Sequence, residues 1–244
     1  MRFEGLEPVA EGVVRVGASV PGGVVIPLQG HASIAEVFRE VVAYASVLLA
    51  WSTVCGYGRP LHDEEDQVLK AGDEIENPVT GETITFIRTS EDTGGAHLEI
   101  ELLLRPDAFL PAAHVHPAQE EAFTVLEGAV RFTSGAHVDV VRAGGKLRVP
   151  GGQPHSWGPD GDAGARVRVV FSPPGSTAQF FNTYFALARD GKVNDKGLAN
   201  PIRMAQMGRT YDLYLAAAPV AAQRPVFAAL DLVGRLLGYP RMPV

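Results

Sequence analysis

Two histidines one residue apart, His114 and His116, sit in the stretch PAAHVHPAQEEAFTVLEG that runs from Pro111 to Gly128. In a β-strand, residues i and i+2 face the same side, so the two imidazoles project together. Paired neutral imidazoles are good donors for a borderline divalent metal. Glu121 falls on the following strand with Phe123 and Val125 in phase, and a hairpin brings its carboxylate across from the imidazoles. Glu120 alternates to the opposite face; a register that makes it the donor instead is the alternative. Glu127-Gly128 reads as the turn beyond that strand. The second stretch, GGKLRVPGGQPH from Gly144 to His155, adds a strand, a tight turn and a third histidine. His31, His62, His97 and His137 have no partners at useful spacing and read as structural or exposed.

Together the stretches spell H-x-H-x4-E-x6-G and G-x5-P-x-G-x2-H, and over roughly residues 69–175 the chain resembles the cupin superfamily, in particular single-barrel members with a helical tail. The resemblance implies a mainly β fold, an antiparallel β-barrel or jelly roll holding one metal ion by three histidines and a glutamate. Position by position it implies His114, His116, Glu121 and His155 as metal ligands, with Gly128, Gly144, Pro150 and Gly152 at turns. An asparagine common four residues after the last histidine is replaced here by Pro159, which bears on the loop and not on the ligands. Glu121 is the residue expected to act in catalysis, as ligand and proton acceptor. Trp157, two residues beyond His155, and Phe123 and Val125 are the expected pocket walls, with plain core packing as the alternative for all three.

Mixed imidazole and carboxylate ligation suits Fe, Mn, Ni, Co, Cu or Zn, with Fe(II) the foremost expectation. Four protein ligands on a six-coordinate ion leave open positions, the mark of a catalytic site and not of a closed structural one. The leading functional expectation is an oxygenase acting on a small, mainly apolar or aromatic molecule. The alternatives are a non-redox isomerase, cyclase or lyase, and a non-catalytic small-molecule-binding barrel. A glycine-rich dinucleotide loop, a phosphate-binding loop and a nucleophile elbow are missing from the sequence.

The elements that must position these residues divide the 244-residue chain by texture. Residues 1–68 hold a capping box, Ser33 with Glu36, that opens a long apolar helix. Residues 69–175 read as short strands between turns. The clearest is Glu82 to Arg88, where Ile84, Phe86 and Arg88 lie opposite Thr83, Thr85 and Ile87. Residues 176–244 change to helical spacing. Ser176 and Gln179 form a second capping box ahead of Phe180, Phe181, Tyr184, Phe185 and Leu187. Asn200-Pro201 caps a stripe of Met204, Met207, Tyr211, Tyr214 and Ala218. A last helix is expected after Pro225, with Val226, Leu230, Val233 and Leu237 on one face.

The formal net charge of -7 offers no basic footprint for nucleic acid or an anionic membrane. Residues 41–58 carry no charge, but they continue the capped helix and read as a buried or dimer-interface helix, with a membrane anchor as the alternative. A single cysteine, Cys55, and the lack of an apolar leader lead to the expectation of a cytoplasmic homodimer whose partner is a small-molecule substrate.

Overall fold

The computed structural model describes residues 68–109 and 112–244. The long apolar helix expected in residues 1–68, its capping box and the uncharged run 41–58 lie outside the described residues. No helix among the described residues is long and apolar enough to cross a membrane.

An eight-stranded antiparallel sheet carries the fold. Its order is β1 (Glu74–Asn77), β2 (Glu82–Arg88), β3 (Leu98–Leu104), β9 (Ala165–Ser172), β5 (Glu120–Ser134) and β6 (His137–Arg142). β7 (Lys146–Val149) and β8 (Ser156–Pro159) both pair with β5. The period-2 alternation explains the layering. Ile84 and Phe86 of β2, Ile100 and Leu102 of β3, and Val167 and Val169 of β9 are buried together in one core. Each such side chain contributes on the order of 2 kcal/mol on burial. On the outer face Arg166 and Arg168 of β9 pair with Glu99 and Glu101 of β3.

β5 is the organising strand. Its first part is bonded to β7 and β9, and its second part to β6 and β8. The expected turn at Glu127-Gly128 is instead a bulge inside this 15-residue strand, where the register against β9 shifts between Val125 and Glu127. Gly128 takes φ +74°, and a Cβ there would stand 2.3 Å from the Gly164 carbonyl oxygen. A positive-φ glycine bends a strand without ending it, so the chain continues from one set of partners to the next.

Three helices follow: α1 (Thr177–Arg189), α2 (Pro201–Thr210) and α3 (Val220–Leu236). The capping box expected at Ser176 does not form. Ser176 sits at φ -103°, ψ 32°, outside the extended conformation that aims a cap side chain at the helix amides, and makes no cap bond. Asn200 does cap α2, accepting from the Arg203 amide at 3.0 Å, with Pro201 in the first turn. The helical stripe expected to run on through Tyr214 and Ala218 stops at Thr210. Asp212 turns to φ +50°, and Tyr214–Leu215 becomes β10, paired with β4 (His114–Val115). α3 starts at Val220 and contains Pro225, earlier than expected. Gln223 on its first turns binds both the amide and the carbonyl of Leu215, which ties the helix start to β10. The inward residues of α3 are consequently Gln223, Asp231 and Gly234, while Val226, Leu230, Val233 and Leu237 are half-buried.

Candidate metal centre

β4 holds the first imidazole between two neighbours. On one side Leu215 and Tyr214 of β10 stand opposite His114 and Val115. On the other, His114 and His155 form a bridge of two reciprocal backbone hydrogen bonds, at 2.8 and 2.9 Å. This puts the two rings 4.5 Å apart, with the His116 ring 5.0 Å from that of His114. The Pro150-Gly151-Gly152 turn is fastened to the same segment, because the Gly152 amide donates to the His116 carbonyl at 2.8 Å. Glu121 comes from β5, between Val149 of β7 and Phe171 of β9. Gln119, two residues before it, binds the Pro173 carbonyl (2.7 Å) and Thr177 (2.9 Å) and so fixes the strand start.

The two glutamates separate as the alternation requires. Glu121 is 3% exposed and faces inward, whereas the Glu120 side chain is 39% exposed and pairs with Arg148. Among the other histidines, His137 is exposed and pairs with Asp139, His97 is half-buried, and His31 and His62 lie outside the described residues.

The coordinating atoms of His114, His116 and Glu121 all lie within 4.8 Å of one another, close to the roughly 4 Å span of a coordination sphere. Glu121 Oε1 is 2.9 Å from His116 Nε2 and 3.3 Å from His155 Nε2. Yet Glu121 Oε1 and His155 Nε2 are buried without a hydrogen bond of proper geometry. Polar atoms left so in a protein interior are costly unless another partner satisfies them. The far nitrogens are already engaged: His114 Nδ1 lies 3.2 Å from the Ala112 carbonyl and His155 Nδ1 3.0 Å from that of Gln153. A proton on Nδ1 leaves the Nε2 lone pair free for an ion. The His-His-Glu group could therefore hold a metal ion, and its donor chemistry fits one.

The electrostatics of His114 and Glu121 agree with that fit. Burial, with His116 and His155 alongside, pushes His114 down to about 3, so it is a neutral imidazole near neutrality. Burial pushes the Glu121 carboxyl up, but the His116 and His155 rings outweigh it and hold it well below the usual range. His155 is likewise pushed down by burial and more strongly up by Glu121.

A cavity of about 120 Å³ opens onto His114, His116 and Glu121, room on the scale of one aromatic ring. Its walls include Trp157 and Phe171 from the sheet and Phe180, Tyr184, Met204 and Phe227 from the helices. Of the three expected wall residues, Trp157 lines the cavity. Phe123 and Val125 do not: both are fully buried in the core, with Phe123 packed edge-on against Phe132 and Trp157 at 4.8 and 5.5 Å. Sequence reasoning took the aromatic residues of the C-terminal helices as core by default, with a cap over the barrel mouth as one alternative, and several of them line the cavity. It missed Glu82, a buried carboxyl on the cavity wall. The signal was present, because Glu82 is in phase with Ile84 and Phe86, on the face a strand turns to the core.

Residues 101–171 match the Cupin domain family model. No curated protein matches the chain. Among solved structures, a sugar phosphate isomerase from a cupin superfamily of Silicibacter pomeroyi shares 24% identity with a TM-score of 0.34, over 38% of this chain and 60% of that one. The chain thus spans less than two thirds of the length of that protein. A predicted oxalate decarboxylase from Thermotoga maritima shares 19% identity (TM-score 0.37) over 43% of this chain and 98% of that one. An HTH_3 family transcriptional regulator from Vibrio cholerae shares 16% (TM-score 0.36) over 42% and 57%. The antiparallel sheet, the clustered His-His-Glu group and the family match coincide in one region of the sequence: residues 101–171 are similar to a cupin domain, and C-terminal helices follow.

Proposed function

We propose that this protein is a mononuclear metal-dependent cupin enzyme, an iron-dependent oxygenase acting on a small, mainly apolar or aromatic molecule. The observation that carries the reading is the placement of unsatisfied, buried donor atoms of Glu121 and His155 beside His114 and His116, at a cavity walled by aromatic side chains. In this reading His114, His116, Glu121 and His155 are the four ligands. Bound Fe(II) supplies one-electron chemistry toward dioxygen and Lewis acidity toward a substrate oxygen. Trp157, Phe171 and Phe180 receive the apolar body of the substrate and exclude water, which strengthens the electrostatics around the reacting atoms. Glu121, ionised and facing two imidazoles, is placed to take a proton from an acidic substrate hydroxyl.

The test is oxygen uptake by iron-loaded protein with small phenolic and enolic compounds. Uptake matched to substrate loss supports the oxygenase. Full turnover without oxygen assigns non-redox isomerase, cyclase or lyase chemistry instead, and saturable binding without turnover assigns a binding protein.

A further inference from the structure

The cavity wall carries a second carboxyl that the metal centre does not use. Glu82 opens β2, points to the core side and is 5% exposed. Thr80 Oγ1 donates to its Oε2, and no described residue hydrogen-bonds its Oε1. Asn77 stands opposite it in the β1–β2 register, with its own Oδ1 occupied by the Val79 and Thr80 amides. Tyr184 of α1 lines the same cavity, and its hydroxyl is committed to the Gly197 carbonyl at 2.8 Å. Natural proteins seldom bury a carboxyl without a charged partner, and among the described residues none forms a salt bridge with Glu82.

We propose that Glu82 is the polar contact of this cavity for its ligand, donating from Oε1 to an acceptor oxygen on a ring-sized phenol or enol whose own hydroxyl lies toward His114, His116 and Glu121. This rests on the metal-dependent reading for the position of that hydroxyl, but the contact itself does not. Glu82 can donate only as a neutral acid. Burial pushes its carboxyl up to about 7, against the smaller lowering effect of the Thr80 bond. The groups facing it are Thr80, Asn77 and Tyr184. Tyr184 is pushed up by burial and by Glu82 and keeps its proton through neutrality. Arg105, next to Gly81 at the strand end, is paired with Asp107. A small acceptor-bearing aromatic thus meets the metal ligands with one oxygen and Glu82 with another.

The probes are 4-methoxyphenol and 4-ethylphenol, equal in size, of which only the first carries an acceptor at the far end, and neither titrates near neutrality. Binding is measured by calorimetry on the full chain, with and without Co(II). The expected result at about pH 6 is that the methoxy compound binds roughly tenfold tighter. That margin shrinks to within about twofold in Glu82→Leu and in the native protein at about pH 8.5, while Glu82→Gln, which keeps an N–H donor, retains it at both. A missing margin in the native protein, or one that Glu82→Leu leaves unchanged, overturns the proposal. If Glu82→Leu does not fold, the pH series and Glu82→Gln decide it. Cobalt held without the margin sinks the Glu82 contact alone. A Glu82-dependent margin in protein that does not retain cobalt sinks the metal reading alone.

Discussion

The backbones of His114 and His155 hold each other through two hydrogen bonds, and each ring directs its Nδ1 at a carbonyl two residues earlier, Ala112 for one and Gln153 for the other. Forty residues of chain separate the pair, yet the bridge makes them cross-strand neighbours with their rings 4.5 Å apart. Backbone, not side chain, fixes the two imidazoles, and His155 Nε2 comes to 3.3 Å from Glu121 Oε1.

Replacing His116 by alanine removes the donor 2.9 Å from Glu121 Oε1 while leaving the bridge intact. Affinity for Co(II) is expected to fall by more than about 100-fold with the melting temperature of the metal-free protein little changed. Equilibrium dialysis and thermal melts report the two quantities separately. Unchanged cobalt affinity would remove His116 from the ligand set.

Gly128→Ala tests the bulge in β5. At φ +74° a Cβ would meet the Gly164 carbonyl oxygen at 2.3 Å, so backbone on both sides must shift. A loss of about 2 kcal/mol or more is expected in urea unfolding. A neutral substitution would show that the strand need not bend there.

Stability should depend on pH through Glu82. Its folded-state pKa, about 7, lies above the ordinary 4.5, so the folded protein binds the proton more tightly than the unfolded chain does. The resulting stability is fully present below 4.5 and is lost as pH rises toward and through about 7. The loss is on the order of 3 kcal/mol, an upper figure for a single buried carboxyl. Urea unfolding from about pH 5 to about pH 8.5 should show this slope in the native protein and a flatter one in Glu82→Gln. Parallel curves would place the slope elsewhere.

The strands and the clustering of His114, His116 and Glu121 were largely legible in the sequence because period-2 alternation and the two histidine motifs are local signals. His114 and His116 read as neighbours from spacing alone. Gly128 was misread because a positive-φ glycine serves a bulge as well as a turn, and only the pairing partners distinguish them. Tyr214 was misplaced because its spacing from Met207 and Tyr211 suits a helix, whereas the exposed edge of β4 recruits it as a strand. Ser176 carries a cap residue's identity without a cap's backbone. Glu82 was passed over since an isolated acid in a strand defaults to solvent, although it is buried in phase with Ile84 and Phe86.

The most direct test of the account is the metal content of the purified full-length protein, by plasma mass spectrometry after incubation with Fe(II), Co(II) or Zn(II) and gel filtration. About one divalent ion per chain is expected, falling below about a tenth in His114→Ala and Glu121→Gln variants that still fold. A folded native protein that retains less than about a tenth of an ion per chain would contradict it, as would variants that retain as much as the native protein.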